Sequence, residues 1–177
     1  LGYGGGIRSL ADAKAVFDTG FEKVAVNSCA MDNPALLTDI ASQYGSQAVI
    51  ASIDVKNGLL GRPTVRTKAG RHNTGRDPLK WAQEVEQRGA GEILLTSIDR
   101  EGTWAGFDLD LVKRIADAVS IPVIAHGGAG SIDDIGKVVK LGNASAVALG
   151  SLVVFQKKDM GVLVNFPDQQ QLENVLA

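Results

Sequence analysis

The chain has 177 residues, 45% of them hydrophobic and 21% charged, with a formal net charge of −2. That size and balance suit one globular domain and exclude wholesale disorder and a generally basic nucleic-acid binder. The single cysteine, Cys29, excludes an intrachain disulfide and a multi-cysteine zinc site, and no apolar run is long enough to span a membrane.

Taken in chain order, the residues predict alternating strands and helices. A short run at 1–3 enters Gly4-Gly5-Gly6. Ser9 caps a helix reaching about Thr19, with Ala11, Ala15 and Val16 on one face and Gly20 as its C-cap. Residues 23–27 read as a buried strand, with too little alternation to be half exposed. Asn33-Pro34 opens a helix ending near Gly45, and 48–55 form a second apolar strand that runs into Asp54 and Lys56. Residues 59–75 differ: alternating Val65 and Thr67, then Lys68-Ala69-Gly70, predict a hairpin excursion with His72 facing solvent. Asp77-Pro78 starts a helix to Arg88 with Trp81 and Val85 inward, followed by a strand at 92–98 and a polar loop at 99–106. A helix at 108–119, a strand at 122–125, a Ser131-capped helix to about Leu141, a strand at 146–149 and a weak helix at 168–176 complete the pattern. Such alternation implies parallel strands with helical crossovers, either in an open doubly wound sheet or in a (β/α)8 barrel.

An internal repeat favours the barrel. Gly5-Gly6-Ile7-Arg8-Ser9 resembles Gly127-Gly128-Ala129-Gly130-Ser131 at an offset of 122, which also pairs Asp12 with Asp134, Val16 with Val138 and Gly20 with Gly142. The same offset pairs 24–26 with 146–148 and Cys29 with Ser151. An offset of 122 holds about four βα units, and two such halves make an eightfold barrel. About six units are present, so residues 1–177 are expected to form a single partial barrel domain carrying strands 3 to 8. Two unpaired edges would then favour self-association.

Glycines between a strand end and a helix expose backbone N–H groups to an anion. Two such turns related by a repeat imply two phosphate cups on one mouth, and hence a ligand with a phosphate at each end. Asp54, at a strand's C-terminal end between apolar walls, is the candidate general acid or base. Thr96, Ser97 and Asp99 end the next strand, and His126 precedes the second glycine turn. Cys29 has no His–Asp arrangement nearby that would make it a nucleophile, and no metal-ligand cluster appears. No cofactor is implied.

Several motifs closely resemble the cyclase subunit family of imidazole glycerol phosphate synthase. They are Gly4-Gly5-Gly6-Ile7, Val26-Asn27, Ile53-Asp54, the run Gly-Ala-Gly-Glu-Ile-Leu-Leu-Thr-Ser-Ile-Asp at 89–99, Gly102-Thr103, Gly106-Phe107-Asp108, and 121–125 before Gly127-Gly128-Ala129-Gly130. The resemblance covers 1–155. The tail at 157–167 is more similar to the family's paralogues in surface-polysaccharide gene clusters, linked to ammonia supply for sugar amidation.

The resemblance implies a cytoplasmic (β/α)8-barrel lyase of histidine biosynthesis. Such an enzyme takes a bisphosphorylated aminoimidazole carboxamide ribonucleotide and ammonia delivered by a glutaminase subunit, and it releases imidazole glycerol phosphate. It makes Asp54 the general acid, places one phosphate on Gly6, Asn27 and Ser28, and places the other on Gly128, Gly150 and Ser151. Thr96, Glu101 and Gly102 then contact substrate, and Glu22, Lys23 and Glu92 belong to the ammonia gate and partner docking face. Glu101 stands where the family has Asp, and His126 where it has Ser. The family's general base, an Asp on the first strand, has no counterpart in these residues, so the 177-residue polypeptide alone is expected to show little cyclase activity. The alternatives are the polysaccharide paralogue, an inactive or engineered barrel fragment that only binds phosphate, and the related isomerase that shares the repeat.

Overall fold

The structure is a computed structural model that describes residues 1–58, 61–155 and 161–177. Residues 59 and 60 of the expected hairpin, and 157–160 of the tail resemblance, lie outside the described residues. Six parallel strands follow one another in chain order: β1 (Gly2–Gly4), β2 (Lys23–Val26), β3 (Val49–Asn57), β6 (Glu92–Ser97), β7 (Val123–His126) and β8 (Ala146–Ala148). Helices α1 (Leu10–Asp18), α3 (Ala35–Tyr44), α4 (Pro78–Gln87), α5 (Leu109–Ala116) and α6 (Ile132–Lys140) make the crossovers. Sequential parallel strands with a helix between each pair form a partial (β/α)8 barrel, an arc with β1 and β8 at its edges.

The strand reading needs one correction. Expected to be buried throughout, the strands alternate. Val24, Val26, Ala51, Ile53, Leu95 and Ala125 are buried against the helices, whereas Ala25, Ser52, Asp54, Leu94, Thr96 and His126 on the inner face are only half-buried. The helix layer covers the outer face, and no opposite wall stands over the inner one among the described residues.

Helix α1 turns a different side inward from the one expected. Ala13 is buried, Leu10, Val16 and Phe17 pack against the core, and Ala11 and Ala15 face solvent. The larger side chains decide, because they bury more apolar area, and Phe17 lies 4.3 Å from the Tyr44 ring, centroid to centroid. Thr19, not Gly20, caps α1. Helix α5 ends at Ala116, three residues early, where the Asp117 carboxylate accepts from Asn143 Nδ2 at 2.7 Å and meets Lys113 Nζ at 3.0 Å. Two short helices, α2 (Ser28–Asp32) and α7 (Ser151–Val154), follow β2 and β8, and the tail helix α8 (Gln169–Leu176) packs on α6.

The repeat is visible in the backbone. Ser9 and Ser131 share an extended conformation (φ −148, ψ 165 and φ −151, ψ 165), and each hydroxyl accepts from the N–H three residues on, of Asp12 and of Asp134. The Arg8 N–H donates to Asp12 Oδ2 at 2.9 Å, as Gly130 N–H does to Asp134 Oδ2 at 3.1 Å. Ser131 completes a capping box with Asp134, so Ser131→Ala is expected to cost about 1 kcal/mol in a urea melt.

Beyond the helices the offset changes from 122 to 123. After α1 the left-handed residue is Gly20 (φ 97), and after α6 it is Asn143 (φ 56), one residue past Gly142. The strand pairs confirm the slip, since Gly4 lies opposite Ala25 and His126 opposite Ala148. Ser28 therefore corresponds to Ser151 and Asn27 to Gly150, each pair at the start of a short helix. The pairings of Cys29 with Ser151, and of 24–26 with 146–148, are each off by one.

The hairpin excursion is present. Beyond the reach of β2, the edge of β3 is free, and β4 (Pro63–Thr67) pairs antiparallel there from Asp54↔Arg66 to Asn57↔Pro63. β4 then pairs with β5 (His72–Asn73). His72 is exposed as expected, and its Nδ1 lies 3.2 Å from Thr67 Oγ1.

Candidate active site at the strand ends

Parallel strands place their C-terminal ends on one rim, and the expected site residues gather there. Asp54 on β3 is the centre. Its Oδ2 accepts from Asn27 Nδ2 at 2.9 Å, and that amide also approaches Ser52 Oγ at 3.4 Å. Burial pushes the Asp54 carboxyl above its ordinary range; the Asn27 bond, the nearby His126 and Thr96 oppose this and do not cancel it. A carboxyl that holds its proton at higher pH is suited to donate it.

Thr96 lies opposite Asp54 in the β3–β6 register and opposite His126 in the β6–β7 register. Its Oγ1 is 3.1 Å from His126 Nδ1. His126 Nε2 lies 3.7 Å from Glu101 Oε2, too far for a hydrogen bond but close enough for charge to be felt. Glu101 in turn leans toward Gly150, where an added Cβ would sit 3.4 Å from its Oε1. Asn27, Asp54, Thr96, His126, Glu101 and Gly150 thus form a continuous line across the ends of five strands, β2, β3, β6, β7 and β8.

The two glycine turns stand at opposite ends of this line and differ greatly. The first borders a cavity of about 700 Å³ lined by Gly5, Gly6, Arg8, Asn27, Ser28 and Lys68, with Asp54 on its inner side. Gly5 (φ 111) and Gly6 (φ 74) need their backbone freedom, and a Cβ on either would meet nothing within 4 Å. The second cup, bordered by Glu101, Gly102, Gly128, Gly150 and Ser151, holds about 10 Å³. Its glycines are pressed against backbone: a Cβ on Gly127 would lie 2.6 Å from the Ser97 carbonyl oxygen, and one on Gly128 would overlap the Gly106 carbonyl.

At the other end of the strands Lys23 pairs with Glu92, both half-buried, and Glu22 lies exposed beside them. Among the described residues no cluster of three or more His, Cys, Asp or Glu could hold a metal ion, and no helix is long and apolar enough to cross a membrane.

Residues 1–159 match the family described as "Histidine biosynthesis protein". The chain belongs to that family. It is 50% identical over 152 residues to the imidazole glycerol phosphate synthase subunit HisF of Alkaliphilus metalliredigens (strain QYMF), a match covering 86% of this chain and 60% of that protein. It is 46% identical over 171 residues to the putative imidazole glycerol phosphate synthase subunit hisF2 of Pseudomonas aeruginosa, covering 97% of this chain and 68% of that protein. The chain thus spans about 60% of the length of the first of these family members and about two thirds of the second.

Sequence reasoning missed Arg8 and Lys68 as parts of the site. Arg8 sits inside the repeat motif, one residue before the helix cap, and its partner in the second half is Gly130, so the repeat itself marks a charge present on one side only. Lys68 carries no local signal. It reaches the site only because β4 pairs on the free edge of β3.

Proposed function

We propose that the protein carrying this chain is the cyclase component of imidazole glycerol phosphate synthase, acting in the cytoplasm with a glutaminase subunit as partner. It takes a bisphosphorylated aminoimidazole carboxamide ribonucleotide and ammonia and releases imidazole glycerol phosphate. The observation that carries this reading is a half-buried carboxyl, Asp54, set on a polar line that joins two glycine cups on one rim. One phosphate sits on Gly6, Asn27 and Ser28, the other on Gly128, Gly150 and Ser151. Asp54 acts as the general acid between them, oriented by Asn27 and Thr96. Glu101 and Gly102 border the second phosphate, and His126 lies beside it. Residues 1–177 act as one partial barrel domain.

The resemblance places the reaction's base on a strand with no counterpart here, so this chain's own contribution is substrate binding and proton donation. Lys23 and Glu92, paired at the opposite end of the strands, form part of the ammonia entrance, and Glu22 belongs to the docking face. Removing one partner of a half-buried pair frees the other charge, so Glu92→Gln is expected to change the ratio of glutamine-driven to ammonia-driven turnover. The deciding assay is ammonia-dependent release of imidazole glycerol phosphate by the intact protein.

A second reading is favoured by the tail. Residues 157–167 resemble the family's paralogues in surface-polysaccharide gene clusters, which are linked to ammonia supply for sugar amidation. On this reading the site supports ammonia supply for sugar amidation. Ligand binding without cyclase turnover in the same assay selects it over the first.

A further inference from the structure

We propose that Lys68, on the turn between β4 and β5, supplies the cationic wall of the first glycine cup and holds the ligand's phosphate against Asn27 and Ser28. The proposal rests on reading that cup as a phosphate site and adds a group that lies far from it in sequence.

Three independent observations converge. First, strand length delivers the turn. β3 continues past its pairing with β2, β4 occupies the freed edge, and the turn that follows lands on Ser28, where the Lys68 N–H donates to Ser28 Oγ at 3.0 Å. The Ser28 hydroxyl keeps its own proton to donate, and a phosphate oxygen in the cup is a suitable acceptor. One side chain thereby ties the turn to the occupant of the cup.

Second, the turn does not call for a lysine. Lys68 (φ 54) and Ala69 (φ 56) both occupy the left-handed region, ahead of Gly70 (φ 79). Glycine would adopt that conformation without strain, so a long charged side chain at 68 is not explained by the turn. Lys68 borders the cavity of about 700 Å³ and forms no salt bridge among the described residues.

Third, the two cups differ in charge. Arg8 and Lys68 border the first, together with Asp32 and Asp54, and Asp54 is already engaged by Asn27. Among the described residues no lysine or arginine lines the second, whose one charged lining side chain is Glu101. A phosphate is therefore held more strongly at the first cup than at the second, and the two ends of a bisphosphate are not interchangeable.

The experiment is a calorimetric titration of the intact protein with inorganic phosphate at low and high salt. Lys68→Gly suits the left-handed backbone, keeps the N–H donor and removes the side chain with its ammonium. It is expected to weaken binding about tenfold and to flatten the salt dependence. Lys68→Arg keeps the charge and is expected to stay within about threefold of the parent. If Lys68→Gly binds as the parent does, while Ser28→Ala weakens binding, the cup stands and the role of Lys68 is overturned. If Lys68→Gly and Lys68→Arg lose binding and melting temperature together, the residue acts through the fold and the proposal fails. If the parent binds no phosphate, or Ser28→Ala changes nothing, the cup reading fails and takes the proposal with it.

Discussion

Replacing Asp54 with asparagine is expected to lower ammonia-dependent turnover by about 10²–10⁴-fold, the range that one positioned proton donor contributes. The protein should be at least as stable near neutral pH. Both expectations follow from the burial that raises the Asp54 carboxyl above its ordinary range. A raised folded value means that the native state binds this proton more tightly than the unfolded chain does. The resulting stability is fully present below the ordinary carboxylate range and is lost as pH rises through the folded value. Asparagine has the same shape, still accepts from Asn27 Nδ2, and carries no charge to desolvate. Melting temperatures from about pH 4 to about pH 8 should therefore fall more steeply for the parent than for Asp54→Asn as pH rises. Undiminished turnover by the variant would remove Asp54 from the mechanism, and an equal pH slope would remove the account of its burial.

The largest structural effect is expected at Gly128. Its φ of 104 is strained for any other residue, and a Cβ there would overlap the Gly106 carbonyl and approach Arg100 Cβ to 2.9 Å. Strain of about 1–3 kcal/mol and overpacking of about 1–3 kcal/mol act together. Gly128→Ala should thus cost about 2–6 kcal/mol in a urea melt. Gly6→Ala is the contrasting case at the equivalent position of the repeat. It meets the backbone strain alone, because its Cβ points into open space, so its cost should stay near the strain figure while the methyl intrudes on the first cup. Equal destabilisation by the two variants would mean that the cups are built alike, against the cavity volumes of about 700 and 10 Å³.

The Gly6 and Gly128 pair shows how far a repeat can be read. Matching Ser9 with Ser131 and Asp12 with Asp134 identified two helix caps, and both caps form with nearly identical backbone angles. Capping involves atoms within four residues, so nothing distant is needed to fix it. The repeat could not show that a residue enters at Asn143, because its left-handed conformation (φ 56) has no compositional signature as strong as glycine's. That single residue moves the counterpart of Ser151 from Cys29 to Ser28.

The strands show the opposite limit. Runs such as 49–55 and 92–97 are apolar enough on both faces to be strands, yet their residues alone do not say which face meets helices and which meets the open rim. Burial of Ile53 beside half-buried Asp54 is set by the helix layer. In the same way the sequence marks Lys68-Ala69-Gly70 as a turn, but only the β3–β4 register sets it over Ser28.

The serine N-caps, turns, strand and helix identities, the duplicated glycine motifs and the candidacy of Asp54 were determined by the sequence itself, because the forces that fix them act over a few bonded neighbours. Tertiary structure alone decided the face of each strand, the one-residue slip, the inequality of the two cups and the arrival of Lys68. Those depend on how long each strand runs past its neighbour and on what backbone presses against it, and such distances exist only once the sheet has packed against its helices.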